Sequence, residues 1–173
     1  MRHPARRSLL LAAGLALALS AAADPAIAQG NHSCEGLDAC IGNTGKVAED
    51  ACNGRSACAG NWGKIASSAC TGVLAGSNNS ADVAQHSCNG YNACKVTSGI
   101  VAANSCNGWQ ACETNRGNVA ENACNGVEAC RANTGKIAQN ACNGKWACFN
   151  NKADIGPGEC NGAPVNGKGV CQP

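Results

Sequence analysis

One hydrophobic position dominates the pattern between residues 34 and 159. Val47, Ile65, Val83, Val101, Val119, Ile137 and Ile155 recur every 18 residues, and each is β-branched. Around them the repeating positions are small or polar. Ala precedes each by eight residues, from Ala39 to Ala147, and Gly precedes each by eleven, from Gly36 to Gly144. The unit reads C-N-G-x-x-A-C-x-x-N-x-G-x-[VI]-A-x-x-[AS]; it runs seven times over residues 34–159, and an eighth copy opens at Cys160. A helical repeat would place apolar residues at i, i+3, i+4 and i+7, and frequent Asn-Gly pairs would break it. A single β-branched column instead suits a short stacked strand with one buried face. The pattern therefore predicts an all-β chain: a β-solenoid (β-helix) of about seven 18-residue coils, handedness undetermined. With coils about 4.8 Å apart the rod would be roughly 34 Å long.

Eighteen residues divide into three hexads. Val119-Ala120-Glu121-Asn122-Ala123-Cys124 resembles the hexapeptide of left-handed triangular β-helices, but the other two hexads lack the aliphatic residue. The resemblance covers about a third of a coil, so the acyltransferase activity associated with that fold is not carried over. A flattened, two-sheet coil is preferred. The tenth position holds Asn43, Asn61, Asn79, Asn115, Asn133 and Asn151, with Thr97 as the exception. That column suggests either an amide ladder between coils or a set of independent turn caps.

The chain of 173 residues carries 15 Cys. Such density in an exported chain reads as a disulfide framework. Pairing within each unit gives Cys34–Cys40, Cys52–Cys58, Cys88–Cys94, Cys106–Cys112, Cys124–Cys130 and Cys142–Cys148, with Cys160–Cys171 closing the end. Only Cys70 is left over, because Gly76 stands where its partner would be. Pairing between consecutive units is the alternative, and it strands Cys34, Cys88 and Cys171. An odd count requires one orphan, so the first scheme is preferred. Cys70 is expected to be a free thiol, buried and inert, with an intermolecular bridge as the alternative. Metal binding is the competing use of so many Cys, but C-x-C and C-x2-C pairs are absent from the sequence. Zinc and cluster sites favour those closer spacings.

Residues 1–28 read as a signal peptide, with Arg2, Arg6 and Arg7, an apolar run from Leu9 to Ala23, and an A-x-A box at Ala26-Ile27-Ala28. A membrane anchor is the competing reading, but the run is short of a spanning helix. Arg6-Arg7 also loosely resembles a twin-arginine export signal. Residues 29–33 form a short lead-in, 34–159 the repeats, and 160–173 a C-terminal cap broken by Pro164 and Pro173. Removing residues 1–28 lowers Lys+Arg from 13 to 10 and Asp+Glu from 11 to 10, which leaves a near-neutral chain. No basic stripe remains for nucleic acid, and no polybasic or amphipathic segment for a membrane after cleavage. The expected location is secreted or periplasmic.

Catalytic signatures are missing from the sequence. His32 and His86 share a repeat position three coils apart, too far for a shared metal. Acids are scattered over different positions, without the adjacent pairing that glycosidase carboxylates require. No cofactor is implied, and no catalytic or metal-binding residue is assigned. The suggestive surface feature is aromatic: Tyr91 and Trp109 share the fourth position in neighbouring units and could form a ligand platform for a sugar or protein surface. The bland alternative is that these rings cover turn backbone.

The C-N-G-x-x-A-C unit at this spacing, over residues 34–160, resembles a family of secreted, Cys-rich repeat proteins of unknown function. That resemblance implies no activity, substrate or functional residue. There is also a partial likeness to insect antifreeze solenoids, whose short coils are bridged by disulfides and carry regular T-x-T ladders. Here the eleventh column reads Thr44, Trp62, Ser80, Ser98, Arg116, Thr134 and Lys152, too irregular for an ice lattice. The expected role is therefore a non-enzymatic exported structural or surface-interaction protein. The alternatives are a carbohydrate- or ice-binding solenoid and a metal- or redox-handling protein.

Overall fold

The computed structural model describes residues 29–162. The signal-peptide reading of residues 1–28 and the cap and Cys171 readings therefore lie outside the described residues. Consecutive 18-residue units lie one on another in register, as tiers. The seven parallel bridges run Gln29–Val47, Val47–Ile65, Ile65–Val83, Val83–Val101, Val101–Val119, Val119–Ile137 and Ile137–Ile155. Six of them link one β-branched residue to its counterpart 18 residues on, the first joins Gln29 to Val47, and the column from Val47 to Ile155 is buried.

The expected all-β class is overturned. Among the described residues there is no helix and no sheet; the only β pairing is these isolated single-residue bridges, and the remainder is turns, bends and irregular backbone. Neither the β-solenoid of extended strands nor its flattened two-sheet variant is what the chain forms. The reason lies in the backbone. Every second residue from Asn104 to Thr114 has positive φ: Asn104 at 56°, Cys106 at 59°, Gly108 at 145°, Gln110 at 54°, Cys112 at 54° and Thr114 at 58°. The same alternation recurs in the other tiers. A strand needs successive residues in the β region, and a left-handed residue at every second place prevents it.

This alternation distributes the peptide groups between both neighbouring tiers. Cys106 N and Cys112 N donate forward to Ala123 O and Ala129 O at 3.0 and 2.8 Å. Gly108 N, Gln110 N and Thr114 N donate backward to Asn89 O, Tyr91 O and Lys95 O at 3.0, 2.8 and 2.8 Å. Short turns close the same arc, as where Glu113 N donates to Gln110 O at 3.2 Å. Left-handed conformations at Cys, Gln and Thr are costly one by one. They persist because the stack of tier-to-tier bonds over-determines them.

The interior is thin and made of small groups. Ala57, Ala75, Ala93, Ala111 and Ala129 are fully buried, as are the cysteines beside them from Cys52 to Cys142, while Cys34 and Cys160 at the ends are partly buried. Glycine is required where tiers meet backbone to backbone. A Cβ on Gly108 would stand 2.5 Å from Gly126 O, and one on Gly126 would stand 2.6 Å from Gly144 O.

Candidate functional site

The sulfur column is the most distinctive chemistry in the stack. Bridges join Cys34–Cys40, Cys52–Cys58, Cys88–Cys94, Cys106–Cys112, Cys124–Cys130 and Cys142–Cys148, with Cα–Cα separations of 5.4 to 5.7 Å. Those separations lie in the ordinary range for a disulfide. The left-handed arc of C-N-G-x-x-A-C brings its two ends together within one tier. Stacking then sets bridge above bridge: the Sγ atoms of Cys106, Cys112 and Cys124 all lie within 4.8 Å of one another, as do those of Cys130, Cys142 and Cys148. These six sulfurs are consumed by disulfides. A metal site needs thiolates, so this cluster offers no ligand set while oxidised.

Cys70 interrupts the column. It is buried, carries no bridge, and faces the place where Gly76 has no side chain. Burial pushes its thiol up to about 12. A protonated, enclosed thiol is a poor nucleophile. The expected Cys160–Cys171 bridge lies outside the described residues.

Three polar columns hold the tiers together. In the tenth column Asn61 Nδ2 donates to Asn43 Oδ1 at 2.8 Å, Asn79 to Asn61 at 2.9 Å, Asn133 to Asn115 at 2.9 Å and Asn151 to Asn133 at 2.8 Å. Each of these Nδ2 groups also caps a carbonyl two residues on, such as Gly63 O at 2.7 Å. Ladder and turn cap are thus the same side chain doing both. Thr97 breaks the ladder and donates instead to Cys112 O at 2.6 Å.

The second column, which in sequence showed only as helix-breaking Asn-Gly pairs, has a further role in the structure. Asn107 Oδ1 accepts from Asn89 N at 3.0 Å while its Nδ2 donates to His86 O at 3.0 Å. Asn53, Asn89, Asn125, Asn143 and Asn161 make the same two-handed clamp on the preceding tier. The recurrence of Asn at that position was the available signal. A third set comes from the thirteenth position: Asp82, Asn118 and Asp154 accept from the backbone N of Lys64, Ile100 and Lys136. Buried Ser87 and Ser105 donate to Ala102 O and Ala120 O, both at 2.8 Å.

Tyr91 and Trp109 stack on one another, with ring centroids 6.1 Å apart and planes inclined by 11°. They are 44% and 46% exposed, in one column with Val73 and the exposed Val127. The stack gives each ring's inner face to its neighbour, which leaves less flat surface for a sugar than two rings lying side by side. Trp146 lies elsewhere, with Lys145 Nζ 4.4 Å above it and its Nε1 donating to Glu128 Oε1 at 3.1 Å. Arg131 gathers this corner: Nη1 meets Glu128 Oε2 at 2.7 Å, Nε lies 3.2 Å from Glu113 Oε2, and the guanidinium sits over Phe149. Glu113 Oε2 is buried without a well-angled donor, so the Arg131 charge is what compensates it. The available signal was register: Glu113, Arg131 and Phe149 share the eighth repeat position and Glu128 and Trp146 the fifth, but the residue type changes from tier to tier, so neither column stood out by chemical character.

His32 and His86 are both exposed, and His32 lies 3.5 Å from Glu35. A shallow apolar groove runs beside the β-branched column, lined by Ile65, Ala66, Val83, Ala84, Val101 and Ala102 with Lys46, Lys64, Asp82 and Ile100 at its rim. No helix among the described residues is long and apolar enough to cross a membrane. No curated protein and no solved structure matches the chain. A domain family of unknown function, DUF7640, matches residues 19–107 and again 75–172, and by that coverage the protein belongs to this family of Cys-rich repeat proteins.

Proposed function

We propose that the protein is a non-enzymatic, exported module with a structural or surface-interaction role. One observation carries this reading. Most of the cysteines and a recurring set of Asn, Asp and Ser side chains are spent on holding the stack. Twelve cysteines are tied into six bridges, and the Asn columns, Asp82, Asp154, Ser87 and Ser105 bond the backbone of adjacent tiers. Disulfides at this density suit an oxidising, extracytoplasmic compartment. Short bridged loops and a tier-to-tier hydrogen-bond lattice suit persistence under heat and protease more than the movements of a catalytic cycle.

The test compares the native and reduced protein in protease digestion and thermal unfolding, alongside a panel of glycoside, ester and peptide substrates. Native resistance that disappears with reductant, with no turnover on the panel, supports the proposal. Turnover that co-purifies with the folded chain overturns it.

Glycan binding is a second reading, favoured by the exposure of Tyr91 and Trp109 in adjacent tiers. Co-sedimentation with insoluble polysaccharides should then fall on replacing both residues with Ala while the unfolding midpoint stays close to that of the parent. Equal sedimentation of parent and variant would dismiss it.

A further inference from the structure

Asn-Gly pairs carry a built-in chemical liability. Glycine has no side chain to hinder its own backbone nitrogen, and its torsions are free. The Gly nitrogen loses its proton and attacks the Asn Cγ; the amide leaves as ammonia and a succinimide ring forms. Water then opens the ring to Asp or to isoaspartate. The described residues contain six such pairs, beginning at Asn53, Asn89, Asn107, Asn125, Asn143 and Asn161.

Five of these are held at both reacting groups. Gly54 N, Gly90 N, Gly108 N, Gly126 N and Gly144 N donate to Glu35 O, Thr71 O, Asn89 O, Asn107 O and Asn125 O at 2.9, 2.9, 3.0, 3.0 and 3.0 Å. The partner amides are clamped on the preceding tier, as at Asn107 and Asn125. Succinimide formation at these pairs requires the tier contact to open first.

The sixth pair differs. Asn161 is clamped like the others, with Oδ1 accepting from Asn143 N at 2.8 Å and Nδ2 donating to Asn140 O at 2.9 Å and Gly158 O at 2.8 Å. Gly162 N, however, makes no hydrogen bond among the described residues, where the repeat would send it to Asn143 O. Among the described residues, a Cβ on Gly162 would meet nothing within 4 Å, whereas one on Gly90 would stand 2.4 Å from Gly108 O.

We propose that Asn161-Gly162 is the stack's spontaneous deamidation site and that the five inner Asn-Gly pairs are protected by the tier above or below. Conversion replaces a donor by a carboxylate facing Asn140 O and Gly158 O, so it unfastens the last clamp.

The sequence holds a seventh pair, Asn166-Gly167, beyond the described residues, so the experiment uses the full chain in an Asn166→Gln background, which leaves one Asn-Gly in the C-terminal peptide. The protein is incubated at mildly alkaline pH and mapped by peptide mass analysis for amide-to-acid conversion, native and in parallel after reduction and denaturation. In the native chain Asn161 should convert at least ~10-fold faster than Asn107 or Asn125, and denaturation should bring all the pairs to similar rates. Gly162→Val should slow Asn161 alone. Equal native rates at Asn107, Asn125 and Asn161 overturn the proposal, as does a native Asn161 that stays intact while the denatured chain converts.

Discussion

Asn61 donates to Asn43 Oδ1 at 2.8 Å across one tier boundary, and the same amide nitrogen caps Gly63 O at 2.7 Å within its own tier. Both residues are buried, Asn61 completely. A primary amide suits this place because it offers an acceptor and two donors on one planar group. Removing it leaves buried partners on two sides.

Replacing Asn133 with Ala should therefore be severe. It strands the amide proton of Asn151, the Oδ1 of Asn115 and the carbonyl of Gly135. The expected loss is at least ~2 kcal/mol in denaturant unfolding. Thr97→Asn should do the reverse. It would join the ladder segment ending at Asn79 to the one starting at Asn115, raising stability by about 1 kcal/mol. A Thr97→Asn protein less stable than its parent would show that the Thr97–Cys112 bond outweighs ladder continuity.

Gly76 occupies the place of a bridge partner. Its φ of 63° lies close to the 50° to 56° of the cysteines in the same column, and a Cβ there would point into contact with Cys70 Sγ at 2.7 Å. Gly76→Cys should close a bridge to Cys70, abolish the titratable thiol and add about 2 kcal/mol. Gly76→Ala supplies bulk without a bond and should destabilise. Thiol titration with disulfide mapping, followed by thermal unfolding, checks both.

The Cys70 thiol also predicts a pH dependence. Burial raises its ionisation from 9.0 to about 12, so the folded state favours the protonated form. Above pH 9 the unfolded chain releases this proton while the folded chain keeps it. The contribution of Cys70 is thus fully present below pH 9 and is lost as pH rises toward 12. The parent should lose stability over that window more steeply than Cys70→Ala, and native Cys70 should resist alkylation until the protein unfolds. Matching pH profiles for parent and variant would contradict this.

Two glycines with positive φ should respond very differently to Ala. Gly42 has φ of 66° and open space to 4.0 Å, in a column where Ala132 already adopts φ of 56°. Gly42→Ala should cost about 1 kcal/mol. Gly108 has φ of 145° and would press its new methyl to 2.5 Å from Gly126 O. Gly108→Ala should cost upwards of ~3 kcal/mol or prevent folding. Thermal midpoints of the two variants, measured side by side, give the comparison.

The period of the molecule was legible in its cysteines alone, because residues 18 apart meet in space and each column keeps one chemical character. The Val/Ile column announced its burial in the same way. The Asn-Gly positions were half legible. Glycine's left-handed backbone could be expected, but the two-handed grip of Asn107 on the tier below could not, since both of its partners lie at least 18 residues away.

What sequence by itself determined was the repeat, its inward and outward columns, and the presence of cysteines six apart in one arc. What only the tertiary structure decided was the backbone that carries them. Nothing in the local preferences of Cys106, Gln110 or Glu128 asks for positive φ. Each adopts it because the preceding or following tier presents a carbonyl or an N–H that must be met away from water. Those partners lie 17 or 19 residues distant, so the choice between an extended strand and alternating left-handed turns is made by stacking, after the chain has folded back on itself.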